Sequence, residues 1–225
     1  MIKKQNYLKH AIVLFLLLLL MQPERAWAAY ENVEFSSLTN HDGLTNSQVG
    51  AILKDTRGYI WFGTQSGLCR FDGFRMKTFY YINTDDKSLP NNSVDELQQD
   101  YGGNIWVHTS VGYCIYKYDE EQFERKPEEW LKNIHVQGPP YKLLIDKDKN
   151  MWIAVYGQGL YYHNAKTKNT YLFKFTKKAQ PGCLKEGNIS KITEVDGDAL
   201  ITYGDGTICR VNGQKQKVCL LYTSD

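Results

Sequence analysis

A repeated unit constrains the fold of this chain more than any other feature of its sequence. In the first three copies an Asp stands six residues before an anchor Trp, and a Gly follows the anchor after a short polar turn. The anchors are Trp61, Trp106, Trp152 and, in a weaker fourth copy, Leu200, at intervals of 45, 46 and 48 residues. Such self-similarity at a nearly constant period indicates a repeat architecture. The structural repeat residues are Asp55, Gly58, Trp61 and Gly67 in the first copy, Asp100, Gly103, Trp106 and Gly112 in the second, and Asp146, Trp152 and Gly159 in the third.

The first copy contains four short segments rich in β-branched and aromatic residues, namely QVGAILKD, YIWFGT, LCRFDG and MKTFYYI. Because Gly, Asp, Asn and Ser separate them, we predict four strands joined by tight turns. Asp55 is expected to accept backbone N–H groups in one turn, and Gly58 to supply the positive φ near its end. A sheet with two apolar faces needs a neighbour on each side. The period therefore predicts an all-β fold, a β-propeller of four-stranded blades with a Trp packed between adjacent sheets.

The first 28 residues have the order of a secretory signal peptide. Three lysines precede an apolar run from Ala11 to Met21, and AWAA then offers a cleavage site after Ala28. An uncleaved anchor is the alternative interpretation. Removing this segment takes away four of the 27 basic and one of the 25 acidic residues, which leaves a net charge of about −1. We therefore expect no nucleic-acid partner for this chain.

Five cysteines in an exported chain raise the possibility of disulfides. Cys69 and Cys114 are 45 residues apart and follow equivalent glycines, so they occupy the same place in adjacent blades. Face-packed sheets lie about 10 Å apart, whereas a disulfide needs Cα atoms within about 7 Å. We predict that these two cysteines are buried, unpaired thiols.

The segment DGLTNSQVGAILKDTRGYIWFGTQSGLCRFDGFRMKTF resembles the repeat of two-component regulator propellers. This resemblance implies the periplasmic sensor region of a hybrid histidine kinase in a Gram-negative bacterium. It also implies a glycan breakdown product, an oligosaccharide or polysaccharide fragment, as ligand, and a dimeric full-length receptor. Contact with the membrane would come only through regions beyond the C-terminus of this chain.

The resemblance also suggests how the chain is divided. A signal peptide (1–28) would be followed by a ring-closing strand (29–38), blade 1 (39–83), blade 2 (84–130), blade 3 (131–178) and a degenerate, truncated blade 4 (179–225). We expect about four blades that form an incomplete arc of a seven-bladed propeller. A closed ring of four blades is the alternative.

Polar loops are the candidate ligand-binding elements. In a propeller, the loops before each first strand and the turns after each second strand project from one rim. Amide and hydroxyl groups beside aromatic faces suit sugar recognition, although exposed turns have a similar composition. The candidate ligand-binding residues are Asn46, Gln65, Asn92, Ser110, Tyr141, Tyr156, Gln158 and Asp205.

Catalysis is poorly supported by the sequence. There is no G-x-S-x-G motif, the five histidines are scattered, and no segment matches an EF-hand loop. His108 could be a ligand or base, but a half-buried strand histidine is the simpler interpretation. We therefore expect a non-catalytic sensor region with no cofactor and no metal. The alternatives are a free-standing exported carbohydrate-binding or scaffold propeller, and an enzyme resembling the streptogramin lyases.

Overall fold

The computed structural model of the chain describes residues 36–177 and 184–222. By their contacts, the described residues from Leu38 onward belong to one compact unit. The predicted signal peptide and nearly all of the predicted ring-closing strand lie outside the described residues. Among the residues that are described, no helix combines the length and the apolar character needed to cross a membrane.

The first two repeats form two antiparallel sheets in which the strands follow one another in chain order. A single turn of 3₁₀ helix, Asn40–Asp42, precedes the first sheet and is capped by Thr39. The first sheet contains β1 (Val49–Lys54), β2 (Ile60–Thr64), β3 (Gly67–Phe71) and β4 (Met76–Phe79). The second contains β5 (Val94–Gln99), β6 (Ile105–Thr109), β7 (Gly112–Lys117) and β8 (Gln122–Glu124).

The third and fourth repeats form two further sheets. The third contains β9 (Pro140–Ile145), β10 (Met151–Val155), β11 (Gly159–His163) and β12 (Thr170–Thr176), with β13 (Leu184–Lys185) pairing parallel to β12 at the edge. The fourth contains β14 (Ile189–Val195), β15 (Asp198–Tyr203), β16 (Ile208–Asn212) and β17 (Lys217–Tyr222). Although the sequence predicted a truncated fourth blade, β17 supplies it with an outer strand.

A short helix, α1 (Pro127–Leu131), interrupts the strand pattern between the second and third sheets. Pro127 stands in the first turn, where no intrahelical acceptor would pair with its missing N–H. Glu128 and Glu129 stabilise the helix because their negative charges lie near its positive N-terminal end. A 3₁₀ turn, Lys132–Ile134, follows. Leu131 is buried with Ile134 between the sheets. The sequence did not predict this helix.

The anchor tryptophans pack between successive sheets, as predicted. Trp61 is fully buried with Cys114 and Tyr116 of the second sheet. Trp106 lies with Ile153 of the third sheet, and Trp152 lies with residues of the fourth. Among the described residues, no buried cluster draws side chains from both the first and the fourth sheets.

Each anchor Trp is also hydrogen-bonded to the Asp six residues before it, a contact that the sequence analysis missed. Asp55 accepts hydrogen bonds from the backbone N–H groups of Arg57 and Tyr59, as expected of a turn residue. Its other carboxylate oxygen accepts from Nε1 of Trp61 at 2.7 Å. The distances from the indole nitrogen to Asp Oδ2 are 3.0 Å in the second repeat and 3.3 Å in the third. One Asp thus connects the turn to the packing between sheets.

The buried cysteines occupy equivalent positions. Cys69, Cys114 and Cys209 each pair with the residue that follows the anchor in the neighbouring strand, and all three are buried and free. Burial raises the pKa of the Cys114 thiol, so it stays protonated and unreactive. The predicted absence of a Cys69–Cys114 disulfide is confirmed. Cys219 is free and exposed.

Candidate functional site

The loops before the first strands and the turns after the second strands lie together at one end of the sheets. We call this end the upper rim, and it comprises residues 45–48, 65–66, 91–93, 110–111, 137–139, 156–158, 186–188 and 204–207. Hydrogen bonds connect loop to turn. Nδ2 of Asn46 donates to Ser66 Oγ at 2.9 Å within the first sheet. Ser93 Oγ donates to Gln65 Oε1 at 2.9 Å and connects the second sheet to the first.

A β-bulge lies in the first strand of every sheet, just below the upper rim. The strand pairing skips Gly50, Asp95, Tyr141 and Ser190, so each of them is an extra residue in its strand. Bulges redirect a side chain and are common next to functional sites. The four residues share one structural position but differ in side chain. Nothing in the repeat signature marks this position, and only an alignment of the first strands would have found it.

Tyr141 and Tyr156 form an aromatic pair on the upper rim. Their rings stack with centroids 4.0 Å apart and planes 20° apart. Tyr141 is a bulge residue whose hydroxyl accepts a hydrogen bond from the Ile189 backbone N–H at 3.2 Å, which fixes it to the fourth sheet. Burial raises the pKa of Tyr141, so this hydroxyl remains neutral. Tyr156 is 64% exposed. One face of its ring therefore rests on Tyr141, and the other is exposed to solvent.

Two further candidates are held by their neighbours. Gln158 donates from Nε2 to the Gln137 carbonyl at 2.8 Å and accepts from the Tyr161 hydroxyl. Asp205 is ion-paired with Lys185. The hydrogen bond from Lys185, with backbone and side-chain bonds from Thr207, lowers the pKa of Asp205 to about 2. Asp205 is therefore a fixed negative charge at neutral pH.

The remaining candidates have mainly structural contacts. Asn92 Oδ1 accepts from the Tyr81 backbone N–H at 2.7 Å, which ties the loop to the end of the first sheet. Ser110 donates its backbone N–H to the Ser93 carbonyl. The structure thus brings Tyr141 together with Tyr156. Asn46, Gln65, Ser110, Gln158 and Asp205 are placed on the same rim in separate contacts.

Several polar side chains meet at the second bulge, and the sequence analysis did not predict their contacts. Oδ1 of Asp95 is 2.6 Å from Nδ1 of His108. The Tyr113 hydroxyl donates to Glu96 at 2.6 Å and accepts from the Leu143 backbone N–H at 3.1 Å. Burial and the charge of Glu96 raise the pKa of Tyr113. In residues 36–177 and 184–222 there is no group of three or more His, Cys, Asp or Glu side chains placed to hold a metal ion.

Comparison with known proteins finds a family match in the first repeat. The family described as Two component regulator propeller matches residues 43–66, which include β1, β2 and the turn with Asp55 and Gly58. Residues 43–66 are therefore similar to one repeat of that family. A 61-residue segment of the propeller chain is also 41% identical to histidine kinase P4 of Formosa agariphila. This match covers 27% of the chain and 4% of the kinase.

Solved structures support the fold of the propeller chain. The extracellular domain of a hybrid two component system from B. thetaiotaomicron aligns with a TM-score of 0.58 and 23% identity, over 83% of the chain and 26% of that domain. The extracellular domain of a one component system from the same organism aligns with a TM-score of 0.51 and 17% identity, over 80% of the chain and 26% of that domain. PorZ of Porphyromonas gingivalis, a surface component of the type-IX secretion system, aligns with a TM-score of 0.54 and 12% identity, over 83% of the chain and 24% of PorZ. The chain thus spans about a quarter of each structure. At these identities the fold is shared: four four-stranded units of a β-propeller.

Proposed function

We propose that this chain is part of the exported, ligand-sensing propeller of a two-component sensor, and that its upper rim binds a glycan fragment. Export through the predicted signal peptide would place it in the periplasm. The proposed role is recognition without catalysis. The family match at residues 43–66 and the identity with a histidine kinase segment support the sensor role.

The stacked pair of Tyr141 and Tyr156 is the observation that carries the proposal for the ligand. A sugar ring presents C–H groups on its faces and hydroxyl groups around its edge. The open face of Tyr156 offers an apolar platform for those C–H groups. Gln158 and Asp205, on the same rim, offer an amide and a carboxylate for hydroxyl groups. Few polar groups around an aromatic surface are typical of small-molecule sites.

In such a receptor, binding at the rim would act by shifting the population between two arrangements of the receptor. This requires that the ligand bind one arrangement more tightly than the other. Propeller regions and signalling domains beyond this chain would transmit that difference, with two receptor copies acting together.

Calorimetric titration of the chain with neutral disaccharides, such as maltose and cellobiose, tests the proposal. Tyr156→Ala is expected to weaken binding about tenfold, since it removes the exposed aromatic face on which the sugar ring would pack. Phe74→Ala is the matched control, because Phe74 is 94% exposed but lies in the turn between β3 and β4. Equal affinities of the wild type and Tyr156→Ala for every disaccharide would contradict a sugar site on the upper rim.

A further inference from the structure

A cleft lies between the third and the fourth sheets, at the end opposite the upper rim. Its walls are the β11–β12 turn (164–169) and the β16–β17 turn (213–216), and its volume is about 450 Å³. Turns after third strands lie at the end of a sheet opposite the turns after second strands, because adjacent strands run antiparallel. We call this the lower cleft. Its size falls within the range of small-molecule sites, about 300–1,000 Å³.

The floor of the lower cleft is an aromatic ring packed against backbone. Tyr162 is buried, and a Cβ atom at Gly213 would come within 2.6 Å of its ring. Gly213 therefore allows the β16–β17 turn to lie directly on Tyr162. The Tyr162 hydroxyl accepts a hydrogen bond from Nδ2 of Asn164 at 3.2 Å. Burial raises the pKa of this hydroxyl, so it stays protonated. Tyr171 adds a second ring, 37% exposed, to the lining.

Both walls of the lower cleft carry side-chain amides. Asn164 holds the first wall, the β11–β12 turn, since its Oδ1 accepts from the backbone N–H groups of Lys166 at 3.0 Å and Thr167 at 2.9 Å. By contrast, the side chains of Asn169, Gln214 and Gln216 line the cleft and make no hydrogen bond within the described part of the chain. Each carries two N–H donors and a carbonyl acceptor. These free amides beside Tyr171 match the alternating donors and acceptors of sugar hydroxyl groups.

The lower cleft also carries positive charge from two lysines, although the charges of Asp146 and Asp148 act on the Tyr162 hydroxyl at its floor. Lys166 lines it, and Lys215 lies in the opposite wall turn. Neither lysine makes an ion pair within residues 36–177 and 184–222, and no Asp or Glu is among the lining residues. An ammonium group on a flexible stem attracts a carboxylate or sulfate as a point charge. The upper rim differs, since the lysine next to it, Lys185 of β13, is already paired with Asp205.

We propose that the lower cleft binds a sugar unit that carries a carboxylate or sulfate group. The ring packs beside Tyr171, the hydroxyl groups bond to Asn169 and Gln214, and the anionic group pairs with Lys166. This inference rests on the proposed function in that a saccharide is the ligand. It adds a second site on the other side of the propeller and a charge requirement that the upper rim lacks.

The test is calorimetric titration of the whole chain with a glucuronate-containing disaccharide and with its neutral glucose counterpart. Lys166→Gln is expected to weaken binding of the acidic disaccharide about tenfold, the usual size of a lost charged hydrogen bond, and to leave the neutral one unchanged. Asn169→Ala is expected to weaken both. Both side chains are exposed and unpaired, so folding is unaffected. Lys54→Gln is the control, because Lys54 is an exposed lysine on the first sheet.

The outcomes separate the two proposals. Loss of acidic-disaccharide binding in Lys166→Gln and Asn169→Ala, with Tyr156→Ala unaffected, supports the lower cleft, and the upper rim is then decided by its own titration with neutral disaccharides. Loss of binding only in Tyr156→Ala overturns the lower cleft and leaves the upper rim standing. If neither disaccharide binds the wild type at millimolar concentration, both proposals fail. Binding of the acidic disaccharide to Lys166→Gln as tightly as to Lys54→Gln also overturns the lower cleft.

Discussion

The hydrogen bond between each repeat Asp and its Trp can be tested most sharply in the second repeat. Asp100 is buried, and its Oδ1 accepts from the backbone N–H groups of Gly102 at 2.8 Å and Asn104 at 3.0 Å. Its Oδ2 accepts from Asn104 Nδ2 at 2.9 Å and from Trp106 Nε1 at 3.0 Å. Asp100→Asn keeps the first oxygen but replaces the second with an NH₂ group, which cannot accept either bond.

The expected loss of stability follows from the hydrogen-bond donors that Asp100→Asn leaves unpaired. The Trp106 side chain is 1% exposed, so its indole N–H has no access to water once the acceptor is gone. An unsatisfied buried donor costs about 1–3 kcal/mol. With the loss of the bond from Asn104, which is only partly buried, we expect Asp100→Asn to lower the free energy of unfolding by about 2–4 kcal/mol. In a Trp106→Phe background there is no indole N–H to satisfy, so the same change should cost about 1–2 kcal/mol less.

The assay is urea unfolding of the four proteins of this double-mutant cycle, followed by far-ultraviolet circular dichroism. Asp119→Asn is the control, because the Asp119 side chain is 97% exposed and its nearest charge, on Arg57, is 3.9 Å away. It should change stability by less than about 0.5 kcal/mol. Suppose that Asp100→Asn changes the free energy of unfolding by the same amount, within about 0.3 kcal/mol, in the wild-type and the Trp106→Phe backgrounds. That result would refute the coupling between the turn and the anchor Trp.

Three further predictions follow from particular positions. Gly58→Ala should lower the free energy of unfolding by about 1–2 kcal/mol, since φ is +93° but an added Cβ meets no atom. Gly159→Ala should lower it by about 2–5 kcal/mol, because its Cβ would collide with the Phe173 carbonyl. Equal urea midpoints of the two variants would contradict this. Native protein treated with a thiol reagent and mapped by mass spectrometry should be labelled at Cys219 and not at Cys69, Cys114 or Cys209, and rapid labelling of Cys69 would contradict its burial. Burial, then Lys168 and His135, lower the pKa of His163, so between its folded pKa and about 6.5 the unfolded chain binds a proton that the folded chain does not. Stability should therefore fall as pH drops from about 7 to 5.5, and less steeply in His163→Gln; parallel pH profiles of the urea midpoint would refute this.

Much of the architecture could be predicted because the repeat signature is local. The strands β1, β2 and β4 lie within the predicted segments, and β3 begins one residue before its segment. The turn roles of Asp55 and Gly58 involve partners at most four residues away. The buried positions of Trp61, Trp106 and Trp152 followed from their period. The upper rim was also predictable, because strand direction alone decides which turns share an end of a sheet.

The candidate site depended on contacts that sequence spacing does not encode. Tyr141 and Ile189 are 48 residues apart, and their bond arises from how the third sheet lies against the fourth. Gly213 permits the lower cleft because the ring of Tyr162, in another sheet, passes over it. Helix α1 was missed because its five residues are held mainly by burial of Leu131 between two sheets.

By itself, then, the sequence determined the kind of unit, the number of units and the residues that fill the space between them. These features depend on the alternation of residue types along a strand and on hydrogen bonds that form within a single turn. Tertiary structure alone decided which polar groups remain free at the upper rim and in the lower cleft. That depends on sheet-to-sheet packing, in which a side chain meets neighbours about one repeat away in the sequence.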